Sequence, residues 1–362
     1  MTILHCIPSL PVGGAERQLS ILCAGQIRAG YDVHVAYGRG GGIESDLLRS
    51  GATPHVIWSS SNHDPRIFFR LAALIRAVQP HLIQTWLPQM DVFGGMAALA
   101  TTTPWVLTER SMAAAYTARV KDRLLRPVVG RRANAIVANS RAGLDYWASR
   151  ARPSTILALV PNAVSFDQVC MVEPTEPLGL IAPGTPFILV AGRLSSEKNL
   201  GMLIDALALV SRELNVATIV CGDGPTRPEL EAQIAANGLQ ERVFLVGIRR
   251  DVWGLMKQAR ALVNASVFEG HPNVVIEAAA AGCPLVLSDI AAHRAVLDHG
   301  CAAFFDPASP RGLADALLQT LRTPGIAGER ATRARDAVAA LSVGRAVAGY
   351  QHVYDTLISR KR

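Results

Sequence analysis

Residues Asn264–Asp289 read NASVFEGHPNVVIEAAAAGCPLVLSD. The pattern predicts a loop, a helix opening near Pro272, a stop at Gly282 and a short buried strand over Leu285–Ser288. Gly270 permits a sharp bend, and Pro272 suits a first helical turn, where its missing N–H costs nothing. The free N–H groups of that turn and the positive end of the helix dipole make a seat for an anion such as a phosphate. Two carboxylates bracket the turn: Glu269 precedes the helix, and Glu277 lies inside it, ahead of the apolar run Ala278–Ala281. Taken alone, the plainer reading is a helix with acids near its start, where the dipole favours them.

Upstream, the same alternation of strand and helix recurs. Phe187–Ala191 predicts a strand, Asn199–Glu213 a helix, Ala217–Cys221 a strand, Pro228–Asn237 a helix and Val243–Leu245 a strand. A helix over Val252–Gln258 and a strand over Ala261–Asn264 lead into the quoted stretch. The amino-terminal half has its own series: strands Ile3–Ile7, Val33–Tyr37, Pro54–Trp58, His81–Thr85, Trp105–Thr108, Ala135–Asn139 and Ile156–Val160. Helical spacing fills Ala15–Ala29, Arg66–Val78, Val92–Ala100 and Arg141–Ala148. Regular β–α alternation predicts an α/β fold with parallel sheets covered on both faces. Between the two series, Phe166–Pro186 loses its periodicity and carries Pro174, Pro177, Pro183 and Pro186, which reads as a linker. The expected organisation is a domain over 1–165, a linker over 166–186, a second domain over 187–341 and a terminal helix over 342–362. Two such domains leave a cleft between them, a favoured place for ligands.

The 362 residues suffice for two cores, and half of them are apolar. Six cysteines (Cys6, Cys23, Cys170, Cys221, Cys283, Cys301) are scattered without a CxxC pair, which suits a reducing cytoplasm. The start MTILHCIPSL lacks the features of a secretion signal, and no apolar run is long enough to span a bilayer. The net charge of +7 is compatible with nucleic acid, an anionic membrane surface or an anionic substrate, and selects none of them.

Three further motifs fall where predicted strands end, the edge at which open α/β sheets bind ligands. GRLSSEKN (Gly192–Asn199) carries Arg193 and Lys198, a guanidinium and an ammonium able to neutralise a diphosphate, or else a solvated basic turn. CGDGPTRPELE (Cys221–Glu231) is a glycine turn whose plainer reading is a well-formed corner before a helix. VGIRRDV (Val246–Val252) ends a strand in the same way, with Asp251 as a helix cap. In the first half, Gly13-Gly14 lies between strand and helix, but neither it nor Gly38–Gly42 makes the GxGxxG fingerprint of dinucleotide binders.

Taken together, GRLSSEKN, CGDGP, LVGIRRDV and FEGHPNVVIEAAAAGCPLVLSD resemble the retaining GT-B glycosyltransferases of family 4. PSLPVGGAERQ (Pro8–Gln18) resembles that family's GGxE loop, and VANS (Val137–Ser140) and VPNAV (Val160–Val164) its later markers, the last with Ala163 where Gly is usual. The resemblance implies the GT-B fold, two Rossmann-like parallel-sheet domains facing a cleft, with a final helix crossing back to the first domain. It implies a nucleotide-sugar donor, most often a UDP-sugar, and a glycan or lipid-linked acceptor in polysaccharide or glycoconjugate biosynthesis. By the same resemblance Arg193 and Lys198 grip the donor diphosphate and Glu269 holds hydroxyls of the transferred sugar. Gly192, Gly270, His271, Pro272, Asn273 and Val274 line the diphosphate and sugar, Glu277 holds the ribose, and Gly247 and Ile248 meet the base. Gly13 and Gly14 close over donor or acceptor.

No Asp-x-Asp occurs anywhere in the chain, so the metal-holding motif of many glycosyltransferases is missing. Arg193, Lys198 and the helix start can instead stabilise the leaving diphosphate, and the expectation is transfer without a metal or other cofactor. Relatives often place a histidine after the strands that correspond to His81–Thr85 or Trp105–Thr108. Here Trp86, Asp91, Glu109 and Arg110 stand there, as acceptor-side candidates or as a packed tryptophan and solvated ion pairs. The stretch Arg119, Lys121, Arg123, Arg126, Arg131 and Arg132 reads either as a basic patch for anionic lipid or as an ordinary solvated helix face. Aromatic residues are sparse there, which argues against nucleic acid. The expected location is cytoplasmic, with the inner face of the cell membrane as a peripheral station. Two other readings remain: a non-catalytic nucleotide-sugar-binding subunit and a sugar-nucleotide epimerase, the latter opposed by EGxPNxxxE.

Overall fold

Two parallel sheets form from the apolar runs. The computed structural model describes residues 1–57, 61, 64–110, 120–177, 179 and 181–360, with side chains of the helix Val120–Gly130 described from residue 124. The first sheet holds β1 (Thr2–Ser9), β2 (Asp32–Arg39), β3 (Thr53–Val56), β4 (Leu82–Trp86), β5 (Trp105–Glu109), β6 (Ala135–Ala138) and β7 (Ile156–Leu159), in the order β3-β2-β1-β4-β5-β6-β7. The second holds β8 (Phe187–Ala191), β9 (Ala217–Cys221), β10 (Val243–Gly247), β11 (Ala261–Asn264), β12 (Leu285–Ser288) and β13 (Ala303–Phe305), in the order β10-β9-β8-β11-β12-β13. Both are Rossmann-like: strand order reverses beside the first strand, between β1 and β4 in one sheet and between β8 and β11 in the other. Central strands such as β4, β5, β9 and β12 are buried along their whole length, because helices cover both faces.

The chain divides into two units, Met1–Ala163 with Leu341–Arg362, and Val164–Ala340. The helix Val343–Ser359 lies against the helix Gly14–Arg28 and puts Val347, Tyr350, Val353, Tyr354 and Leu357 into the first unit's core. A buried polar chain fixes it there. Trp86 Nε1 donates to His5 Nδ1 at 3.1 Å, His5 Nε2 faces Gln26 Oε1 at 2.8 Å, and Gln26 Nε2 donates to the Tyr354 hydroxyl at 3.0 Å. His5 Nδ1 accepts, so Nε2 carries the proton. Burial outweighs the Gln26 hydrogen bond and lowers the imidazole pKa to about 4.

The segment expected to be a linker, 166–186, does not begin as one. It opens as the helix Phe166–Met171, with Val169 buried. Lys257 Nζ donates to the carbonyls of Cys170 (2.8 Å) and Val172 (2.6 Å), which ties this segment into the second unit. Its six residues are too few to show a helical period.

Candidate functional site in the second unit

Strands β8 and β11 are hydrogen-bonded neighbours at the reversal point, so the loops that follow them emerge side by side. That topology brings together residues 71 positions apart: Lys198 Nζ lies 2.6 Å from Glu269 Oε1. Val267 N–H donates to the Glu197 carbonyl at 2.9 Å and seals one loop to the other. Ser266 Oγ donates to the same Glu269 oxygen at 2.9 Å. Burial pushes the Glu269 carboxyl up, but the Lys198 charge and hydrogen bond, with help from the Ser266 hydrogen bond, outweigh it and hold the group below its ordinary range. Arg193, two residues after β8, is exposed and makes no ion pair or side-chain hydrogen bond among the described residues. Gly192, Arg193, Lys198, Asn264 and Ser266 line one small cavity.

The glycines of these motifs serve packing of loop on loop. Gly222 has φ +145°, and a Cβ there would lie 1.8 Å from the Gly192 carbonyl oxygen. A Cβ on Gly224 would meet the Leu194 carbonyl oxygen at 2.1 Å. Backbone bonds from Leu194 N–H to the Asp223 carbonyl (3.1 Å) and from Thr226 N–H to the Leu194 carbonyl (3.2 Å) bind the two turns. CGDGP therefore acts as a buttress that sets the GRLSSEKN loop.

The helix after Glu269 runs Asn273–Ala280, with Pro272 as its N-cap instead of its first helical residue. The proline ring carries no hydrogen-bond acceptor, so Pro272 itself makes no side-chain capping bond to this first turn. Gly270, His271, Asn273 and Val274 are half-buried around it and Pro272 is buried. The helix stops as expected: Gly282 has φ +73°, and the Gly282 and Cys283 N–H groups bond back to the Ala279 and Ala278 carbonyls. Glu277 is 4% exposed, and the Trp253 indole N–H donates to its Oε2 at 2.9 Å. Trp253 was not singled out by any motif; its signal was only a tryptophan on a short helix, Val252–Gln258, after the VGIRRDV turn. Gly247 has φ +73° and Ile248 is 62% exposed.

In the first unit, three of the four acceptor-side candidates are corrected. Trp86, Asp91 and Glu109 are fully buried. Arg126, expected on a solvated basic face, is 1% exposed and bridges both acids: Nε to Asp91 Oδ2 at 2.7 Å and Nη1 to Glu109 Oε2 at 2.8 Å. Thr85 Oγ1 donates to Asp91 and the Trp147 indole to Glu109. These groups are a core ion network, closed to an acceptor. Local pattern carries no sign of it, because an acid after a strand looks the same whether it faces solvent or a buried arginine. Arg110 is half-buried, stacks over Trp86 at 4.4 Å and donates to Asn162 (2.5 Å) and to the Tyr350 hydroxyl (2.8 Å). Asn139 Nδ2 also donates to Asn162 (3.2 Å), so VANS and VPNAV meet there. Gly14 opens the helix Gly14–Arg28, and Gly13 caps it. A Cβ on Gly13 would lie 2.3 Å from the tip of the Glu16 carboxylate in the first turn of that helix, a flexible side-chain end that can move aside. Arg119 lies outside the described residues, as do the side chains of Lys121 and Arg123.

Residues 12–168 match the family model described as Glycosyltransferase Family 4, and residues 185–323 the model described as Glycosyl transferases group 1. The chain belongs to this glycosyltransferase family. A 109-residue segment is 38% identical to N-acetylgalactosamine-N,N'-diacetylbacillosaminyl-diphospho-undecaprenol 4-alpha-N-acetylgalactosaminyltransferase of Campylobacter jejuni, over 30% of this chain and 29% of that protein. A 144-residue match is 30% identical to alpha-D-kanosaminyltransferase of Streptomyces kanamyceticus, over 38% of this chain and 37% of that one. The chain thus spans roughly a third of the length of these curated relatives. Among solved structures, Anabaena HepE in complex with UDP and glucose superposes with a TM-score of 0.84 at 22% identity, covering 99% of this chain and 100% of that one. Sucrose-phosphate synthase of Thermosynechococcus elongatus gives 0.81 at 17% identity, over 99% of each chain. The likeness to both identifies the fold as GT-B.

Proposed function

We propose that this family member is a retaining, metal-independent glycosyltransferase that moves a sugar from a nucleotide-sugar, a UDP-sugar in our reading, to a glycan or lipid-linked acceptor. The observation that carries the proposal is the Lys198–Glu269 contact of 2.6 Å at the strand-order reversal, with the unpaired Arg193 beside it. Breaking the bond between sugar and diphosphate leaves negative charge on the leaving group, and the Arg193 and Lys198 cations with a helix start stabilise it. Glu269, held ionised, accepts hydrogen bonds from sugar hydroxyls. Retention then follows from attack on the face the diphosphate leaves, with the leaving phosphate taking the acceptor's proton, so no separate protein base is required. The structure of HepE with UDP supports the choice of nucleotide, and the undecaprenol-linked substrate named for the Campylobacter relative supports the acceptor class.

The test is product release from a panel of UDP- and GDP-sugars with EDTA present and no acceptor. Slow hydrolysis of one UDP-sugar is the expected outcome. Calorimetric binding without turnover, even when glycan acceptors are added, would instead favour a non-catalytic subunit.

Our reading also places the enzyme at the cytoplasmic face of a membrane. No described helix is long and apolar enough to cross one. The helix Val120–Gly130, however, leaves Leu124, Leu125 and Val128 exposed, with the exposed Arg131 and Arg132 directly after it. An apolar strip next to cations suits an interface with anionic lipid. With Arg126 buried, the informative variant is Leu124→Ser, Leu125→Ser, Arg131→Glu and Arg132→Glu combined. It is expected to lose most co-sedimentation with phosphatidylglycerol vesicles while hydrolysing donor at the wild-type rate. Unchanged sedimentation would reject the surface.

A further inference from the structure

His293 is fully buried in the short helix Ala291–Arg294, just beyond β12, and no motif marked it. Its Nδ1 lies 2.8 Å from the Ser288 carbonyl oxygen and 3.3 Å from Ser288 Oγ. A carbonyl can only accept, and Ser288 Oγ already gives its proton to the Ser266 carbonyl at 2.6 Å. Both neighbours therefore require the proton on Nδ1, which fixes the tautomer and leaves Nε2 a bare acceptor. Nε2 is buried and has no hydrogen-bond partner among the described residues. A leucine would fill this space without stranding a polar atom, so simple packing does not account for the histidine.

The hydrogen bonds lead from His293 to the candidate site. Ser288, held by His293, donates to Ser266, and Ser266 Oγ donates to Glu269 Oε1 at 2.9 Å. The Glu269 and Lys198 charges act on the imidazole, and burial holds its pKa below the ordinary histidine range.

We propose that His293 is a positioning residue for the transferase. Through Ser288 and Ser266 it sets the loop that aims Glu269, and its unprotonated Nε2 leaves Lys198 as the cation paired with that carboxylate. The proposal rests on the transferase reading above. A protonated ring would place a second cation behind Glu269 and compete with Lys198 for it. Held neutral, the ring supplies one directed hydrogen bond and no charge.

Two variants separate this role from packing. His293→Asn keeps a side-chain N–H near the Nδ1 position, within reach of the Ser288 carbonyl, and deletes Nε2. His293→Leu keeps volume and removes the bond. With the donor that the wild type hydrolyses in the panel, His293→Leu is expected to lower kcat by about 10–100-fold with little change in KM. His293→Asn is expected to recover most of that loss, and both variants should bind UDP as the wild type does, because UDP lacks the transferred sugar that Glu269 holds. If His293→Leu does not fold, His293→Gln, whose amide lies nearer the Nε2 side, takes its place. Wild-type kcat in the Leu or Gln variant, or equal losses in both the Asn and Leu variants, would overturn the proposal. If the wild type itself neither hydrolyses any donor nor binds UDP, the transferase reading falls first and this inference with it.

Discussion

Glu269→Ala is expected to lower kcat for sugar transfer by about 10²–10³-fold or more while the protein stays folded. The carboxylate is aimed by Ser266 and paired with Lys198, and its side chain is 15% exposed, so it faces a ligand with little freedom. Removing it deletes a contact that strengthens as the sugar takes on positive character, which affects kcat more than KM. Lys198 is 21% exposed and can turn its ammonium toward solvent, so stability changes little. The pH dependence has a defined sign. Because the folded-state pKa lies below the ordinary value of 4.5, Glu269 contributes stability above that value, and the contribution is lost as pH falls through the folded pKa. Activity at neutral pH therefore needs no protonation of this group. Turnover near wild type in Glu269→Ala, measured with the donor found by the panel, would remove Glu269 from the site.

The second large effect is expected in the first unit. Arg126→Met should destabilise it by about 3–5 kcal/mol, since it leaves Asp91 and Glu109 buried without their shared cation. For a unit of this size the melting temperature should fall by roughly 10 °C. The deficit should shrink in acid. Burial already pushes the Asp91 carboxyl from 3.8 up to about 6 in the intact protein, against the pull of Arg126 and Thr85 and with a small addition from Glu109. A raised folded pKa means that the stability from Asp91 is fully present below 3.8 and is lost as pH rises through about 6. Without Arg126 the Asp91 carboxyl should stay protonated to higher pH, so thermal melts of variant and wild type should converge toward pH 5. Parallel melting curves at every pH would show that the arginine is not the counter-charge of these acids.

Much of the second unit could be read from the sequence. The strands Phe187–Ala191, Ala217–Cys221, Ala261–Asn264 and Leu285–Ser288 lie where the apolar runs placed them. The helix stop at Gly282 followed from a single residue type. Order along the chain also placed Lys198 and Glu269 at strand ends, but their contact depends on β8 pairing with β11, which local pattern does not encode. The first unit was less legible. The helix Val120–Gly130 carries Pro127 in its interior, which reads as a break. Arg126 reads like its exposed basic neighbours, because periodicity does not tell a buried arginine from a solvated one until Asp91 and Glu109 are brought beside it. Trp253, bonded to Glu277, and His293, bonded to Ser288, belong to no motif.

The helix Val343–Ser359 has a consequence for how the protein is made. Residues leave the ribosome in order, so the first unit emerges without the side chains of Val347, Tyr350, Val353, Tyr354 and Leu357 that complete its core. The whole stretch Val164–Ala340 must be synthesised before that gap can close. The second unit, contiguous in the chain, is free to fold during translation, whereas the first waits with an open apolar seam until its last helix arrives. The birth order of the two units is thus the reverse of their order of completion. A stalled or truncated chain that ends before Val343 would present that seam to chaperones and proteases.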